Sequence, residues 1–215
     1  MSGVSNSNFT YISKQMFKKK SMKNSMAKFL VLVLIACSLL SFDLPVDWFK
    51  AGNKPGSYEM GIDKGAGQDG KNAATIKSID EKIDGFGTLM QQSKPDKFMS
   101  KRIRMTGFLK SENVTGWAGL WLRIDQTGSQ KPLSIDNMKD RKITGTTAWK
   151  KYEIVLDVPD NASLIAYGAL LDGTGQIWFD DISFEIVDES IALTGTHNGK
   201  ESKMQSEPSN LDFEK

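Results

Sequence analysis

Gly116-Trp117-Ala118-Gly119-Leu120-Trp121-Leu122-Arg123-Ile124-Asp125 holds the pattern that decides the fold. Leu120, Leu122 and Ile124 fall on one side of an extended chain, and Trp121, Arg123 and Asp125 on the other. A period of two marks a half-buried strand, expected over 119–126. The same alternation recurs outward from it, with Ile103, Met105 and Leu109 in 102–110, and Ile154, Leu156 and Val158 ahead of Pro159. Leu164–Leu171 is apolar on both faces, as a central strand would be, and weaker strands are expected over 57–63, 72–79, 86–92 and 133–137. Turn formers separate them, including Asn53-Lys54-Pro55-Gly56, Asp84-Gly85 and Thr127-Gly128-Ser129. Asp172-Gly173-Thr174-Gly175 is expected to close a hairpin between 164–171 and 176–187. No window repeats at i, i+3, i+4, i+7, so helix should be minor and the chain all-β, a sandwich or barrel.

One strand breaks its own rhythm. Ile182, Phe184 and Ile186 want to face inward, which would bury Asp180, whereas Asp181 falls in line with Ile177 and Phe179. A bulge at the Asp pair would resolve the conflict; the alternative is a buried carboxylate held by backbone donors or a cation.

The 215 residues carry 28 Lys and Arg against 26 Asp and Glu, a net charge of +2 that hides a split. Residues 1–36 hold six lysines (14, 18, 19, 20, 23 and 28) and no acid, leaving 22 basic and 26 acidic groups, net −4, in the rest. With its positive charge confined to the leader, the chain is no polybasic nucleic-acid binder. The single cysteine excludes an intrachain disulfide and a thiolate metal site. The single histidine, His197, leaves imidazole catalysis little to draw on, so the composition leans against an enzyme.

Residues 29–40 form an apolar run behind those lysines, the pattern of an export signal and too short to span a bilayer. A start at Met22 gives a more ordinary signal, which makes 1–21 an over-extended start and 22–43 the signal peptide. Leu34-Ile35-Ala36-Cys37 resembles a bacterial lipobox, which would lipidate Cys37 and anchor the chain to a membrane. Leu39 and Leu40 favour the plainer reading of Cys37 as a small residue inside the signal; the absence of an Ala-x-Ala site favours the lipobox. Either route expects a periplasmic or cell-surface protein. The sandwich is expected over 44–190, followed by a polar flexible tail over 191–215.

Asp47-Trp48-Phe49-Lys50-Ala51-Gly52, Gly85–Gln91, Gly116–Asp125, Asp136–Arg141, Gly145–Tyr152 and Gly175–Asp181 together resemble a bacterial β-jelly-roll module, similar to carbohydrate-binding and galactose-binding-like domains. In that family the module stands alone, beside AraC-type regulators, or attached to carboxy-terminal processing peptidases. The resemblance covers about residues 44–190 and implies a jelly-roll β-sandwich of two antiparallel sheets. It implies little about function, since sandwiches host many activities.

Trp117, Trp121, Arg123, Asp136, Asn137, Asp140, Arg141 and Trp149 form the candidate ligand cluster. Sugars stack their C–H faces on indoles and hydrogen-bond to carboxylate, amide and guanidinium groups. The competing view packs Trp121 and Trp149 as core, with Arg123 paired to Asp136 or Asp140 for structure. Asp180, Asp181 and Glu59 are candidate ligands of a structural calcium, set against plain surface solvation. Asp125 and Asp136, on adjacent strands, also raise glycoside hydrolysis, but nothing in their spacing singles them out. Gly65-Ala66-Gly67-Gln68-Asp69-Gly70-Lys71-Asn72 imitates phosphate-binding loops, yet a strand rather than a helix is expected after it, so it reads as a turn. These readings converge on an exported, non-catalytic module that recognises a carbohydrate or envelope polymer through Trp121, Arg123 and Trp149. The alternatives are a protein-interaction module without a glycan ligand, and a sensor domain related to those of AraC-type regulators.

Overall fold

A computed structural model of the chain describes residues 42–197. Ten strands make up this body: β1 (Phe49–Gly52), β2 (Tyr58–Asp63), β3 (Ala73–Ser78), β4 (Phe86–Ser93), β5 (Lys101–Asp125), β6 (Ser134–Asp136), β7 (Ile143–Val158), β8 (Leu164–Asp172), β9 (Gln176–Val187) and β10 (Thr196–His197). Among the described residues the only helical turns are short 3-10 segments. The leader with Cys37, and residues 198–215, lie outside the described residues.

β5 organises the rest. Its residues 102–112 lie beside β9 and 117–125 beside β8, while β7 and then β6 follow its other edge. Two antiparallel layers result, β1-β4-β8-β5-β6-β10 and β2-β3-β9-β5-β7, sharing β5 in a jelly-roll sandwich. The stretches 102–110 and 119–126, expected as two strands, are therefore one. β5 turns from layer to layer where its register against β7 slips between Leu109 and Ala118, since extra unpaired residues bend a strand. β7 also begins earlier than expected, because its first half (Thr144, Gly145, Thr146, Thr147) offers no apolar alternation to read.

The hairpin expected over 172–175 is corrected by the register. β8 runs against β5 from Asp125 back to Trp117, and β9 continues along the same edge from Glu112 back to Arg102. Asp172–Gly175 thus bends a partner strand around the corner that β5 turns, without reversing it. Reversal and bending call on the same residues: Gly173 and Gly175 have φ of 76° and 125°, and a Cβ on Gly175 would stand 2.8 Å from the Asn113 carbonyl oxygen. The Thr115 N–H donates to the Thr174 carbonyl at 3.0 Å, and the Thr174 N–H to Thr115 Oγ1 at 3.1 Å. The Tyr58 hydroxyl closes the corner, 2.8 Å from the Gly173 carbonyl and 3.1 Å from that of Gly85. Burial, helped by the Asp172 charge, pushes its pKa up to about 12.

The bulge at the Asp pair is present. Thr106 faces Ser183 and Phe108 faces Asp180, so β9 takes three steps where β5 takes two. Asp181 takes up the extra residue with φ 52°, a left-handed conformation that Asp tolerates.

Leu120, Leu122 and Ile124 of one half of β5 join Ile103, Met105 and Leu109 of the other in a single buried cluster. Tyr167 of β8 and Phe184 of β9 meet edge to face at 4.8 Å, and Trp48 packs against Tyr167 and Phe179 at 5.8 and 5.7 Å. The body also runs past residue 190, where a free tail was expected: Thr194 bonds both backbone groups of Val155, and β10 pairs with β6.

Candidate functional site

With Leu120, Leu122 and Ile124 turned into the core, Trp121, Arg123 and Asp125 face outward, as their alternation predicts. The register carries that outer face across the layer. One row reads Phe49–Met90–Gly168–Trp121, the next Gln92–Ala166–Arg123–Ile135. Small residues at mid-sheet between taller neighbours make a trough of about 460 Å³, bordered by Ala51, Thr88, Gln92, Trp121, Arg123 and Asn137 among others.

Trp121 is rooted on β5, yet its Nε1–H donates to Thr88 Oγ1 on β4 at 2.8 Å. β8 lies between, so the indole, the hydrogen bond and the Thr88 side chain together span two strand spacings, about 10 Å. Such a span requires the indole to lean over β8 toward β4, and Trp121 borders the trough. Gly168 is held to glycine by crowding as well, since a Cβ there would meet the Leu89 carbonyl oxygen at 2.2 Å. The Thr88 hydroxyl donates in turn to the Ala169 carbonyl at 2.7 Å, so Thr88 is fully engaged in fixing the ring.

Beside the indole, Arg123 Nε donates to Asp125 Oδ1 at 2.8 Å, and its Nη2 approaches the Gln130 carbonyl at 3.5 Å. Among the described residues the Gln92 carboxamide has no hydrogen-bond partner, while Asn137 Oδ1 accepts from the Lys139 N–H at 3.2 Å, leaving its NH₂ free. The trough therefore offers an indole, two carboxamides and one internally neutralised ion pair.

The remaining cluster residues are dispersed. Asp136 pairs with Leu122, so it shares the inward face of β6, and Arg141 grips its carboxylate at 2.7 and 3.1 Å. Asp136 Oδ1 also accepts the Met138 N–H at 2.8 Å, and Arg141 further donates to exposed Asp140 and to the Glu153 carbonyl. This trio fastens the Lys139–Arg141 turn. Arg123 has its own partner in Asp125, not the Asp136 or Asp140 expected for it. The same register puts Asp125 outside and Asp136 inside, which separates the two carboxylates considered for hydrolysis. Trp117 shares the outward face but sits at the corner, its ring above Gly119 beside the Asn137–Met138 backbone.

Trp149 belongs to the other layer, on β7, so a single face made of Trp121, Arg123 and Trp149 does not exist. It shares Lys110 with Trp178: the ammonium lies 5.2 and 4.4 Å from the two ring centroids and donates to the Ala66 carbonyl at 3.2 Å. Trp178 Nε1–H is bound to Asp63 at 2.6 Å. Residues 64–72 form the loop between β2 and β3, touching this cluster through the Ala66 carbonyl, with a strand after it as expected.

Asp180, Asp181 and Glu59 do not gather. Glu59 lies in the row Glu59–Lys77–Gln176, four residues along β9 from Asp180, roughly 13 Å at the rise of a strand. No group of three or more His, Cys, Asp or Glu that could hold a metal occurs among the described residues. Partial burial holds the Asp180 carboxyl above its usual range, with the charges of Asp181 and Asp69 adding to it and the Asp181 N–H opposing.

No candidate site read from the sequence includes Thr88, Gln92 or Gly168. They come from β4 and β8, and only the cross-strand register places them around Trp121.

No family model matches the chain. Over 168 residues, 78% of this chain, it is 43% identical to the uncharacterized HTH-type transcriptional regulator YbfP of Bacillus subtilis (strain 168). The chain spans 56% of that relative's length. Among solved structures it is similar to the CBM22-1 xylan-binding domain from Paenibacillus barcinonensis Xyn10C (TM-score 0.48, 12% identity, 67% of this chain and 88% of that one). It is also similar to TmCBM61 in complex with β-1,4-galactotriose (TM-score 0.44, 16% identity, 66% and 90%).

Proposed function

We propose that the chain is a non-catalytic binding module whose trough holds a carbohydrate. One observation carries the reading: the Trp121 indole, its N–H tied across β8 to Thr88, borders an open trough beside the Gln92 carboxamide and the free NH₂ of Asn137. A pyranose has a flat C–H face for the ring and equatorial hydroxyls for the amides, and this match of apolar floor and sparse polar rim is what a sugar site needs. Affinity electrophoresis through gels containing soluble polysaccharides tests it. Retardation by at least one polymer, abolished in Trp121→Ala and kept in Trp149→Ala, is expected; free migration through a broad panel overturns the reading and leaves the protein-interaction alternative.

The proposal includes export, on the strength of the lysine-rich leader and apolar run, with Cys37 as the lipidation site. Labelling with a fatty-acid analogue, lost in Cys37→Ala, is the expected outcome. A second reading is favoured by the 43% identity to an HTH-type regulator, in which the same module is the sensing part of a longer protein. Both readings use the same trough.

A further inference from the structure

We propose that Asp125 sets the trough for uncharged glycans and against acidic ones; the inference rests on the reading of the trough as a sugar site. Arg123 and Asp125 supply the charge that borders the trough, and they cancel each other at 2.8 Å. A uronate or phosphate drawn to the guanidinium also meets the Asp125 carboxylate a few ångströms away, so attraction and repulsion offset. A neutral sugar meets no such conflict. One hydroxyl donates to Asp125, its neighbour accepts from a remaining Arg123 N–H, and the Gln92 and Asn137 carboxamides add donors and acceptors without charge. Asp125 thus acts as a specificity-determining residue by neutralising its neighbour. The Asp125 carboxylate is mostly covered, its side chain 15% exposed against 36% for Arg123. Without it the guanidinium would stand alone as an anion site.

The test compares neutral polymers (glucan, xylan, galactan) with polygalacturonate and alginate, using the full chain at low and high salt. The wild-type protein should bind a neutral polymer with an affinity that changes less than about twofold between roughly 0.02 and 0.5 M NaCl, because no net charge needs screening. Asp125→Asn, which keeps the acceptor for Arg123 and removes the charge, should gain about tenfold for polygalacturonate at low salt and lose that gain at high salt. Arg123→Gln should bind the acidic polymers more weakly than the wild type does. Preference of the wild type for an acidic polymer overturns this inference and spares the sugar site, as does a folded Asp125→Asn with no gain. Failure to bind any polymer of either charge removes the sugar site and the inference together. Should Asp125→Asn not fold, the wild-type salt series and Arg123→Gln decide.

Discussion

Both outer faces of the sandwich carry tryptophan beside a cation, and the two settings differ. On the β4–β8–β5 face the Trp121 N–H is held by Thr88 while the side chain borders the trough, and Arg123 is occupied by Asp125. On the opposite face Lys110 sits between Trp149 and Trp178 and is tied to the Ala66 carbonyl of the 64–72 loop, while Asp63 takes the Trp178 N–H. The same residue types give a proposed docking site in one place and a structural clamp in the other. What differs is where the cation sits, beside the ring or against its face, since an ammonium over an indole uses the surface on which a sugar would stack.

Four perturbations sharpen that contrast. The largest expected effect is Trp121→Ala, which should weaken glycan binding about a hundredfold, about 3 kcal/mol, with melting temperature little changed; Trp149→Ala should change binding less than about twofold. Isothermal titration with the polymer identified by electrophoresis measures both. Equal losses from the two variants would erase the distinction between the faces.

Next comes the corner both faces share. The Tyr58 phenol titrates near 10 when unfolded and near 12 in the native state. Between those values the unfolded chain ionises while the native one holds its proton, so stability is fully present below pH 10 and declines as pH rises toward 12. The decline should reach about 2 kcal/mol in denaturant titrations, and be flatter by that amount in Tyr58→Phe.

Lys110→Leu should cost about 1.5 kcal/mol of stability and leave glycan binding intact, since its ammonium serves two rings of the closed face alone. Weakened glycan binding in a folded Lys110→Leu would assign that face a role it is denied here. Smallest is Thr88→Val, expected to cost about 1 kcal/mol of stability and to weaken binding about threefold by releasing the indole, with Thr88→Ser restoring most of both. A larger loss of tryptophan fluorescence anisotropy in Thr88→Val than in Thr88→Ser would show the release directly.

Much of this was legible in the chain. Leu120, Leu122 and Ile124 fix the outward face of Trp121, Arg123 and Asp125 without any structure, because strand parity is a local property. The phase conflict at Asp180 and Asp181 foretold the bulge for the same reason. What stayed hidden depends on pairing between distant strands. Gly173 and Gly175 serve a bend as well as they serve a reversal, so the corner looked like a hairpin. β6 is three residues long, too short for its own parity to show that Asp136 points inward. Trp149 joined the candidate cluster because nothing near it in sequence says which layer β7 enters. Thr88, Gln92 and Gly168 carry no motif, and they acquire meaning only through the Thr88–Leu170–Gly119 and Gln92–Ala166–Arg123 rows.

The indole N–H resonances of the five tryptophans give the most direct test. In a ¹⁵N-labelled sample titrated with the bound glycan, the Trp121 signal, assigned by Trp121→Phe, should shift with saturation while those of Trp149 and Trp178 stay in place. A stationary Trp121 signal with movement at Trp149 or Trp178 would contradict the account and move the binding face to the other layer.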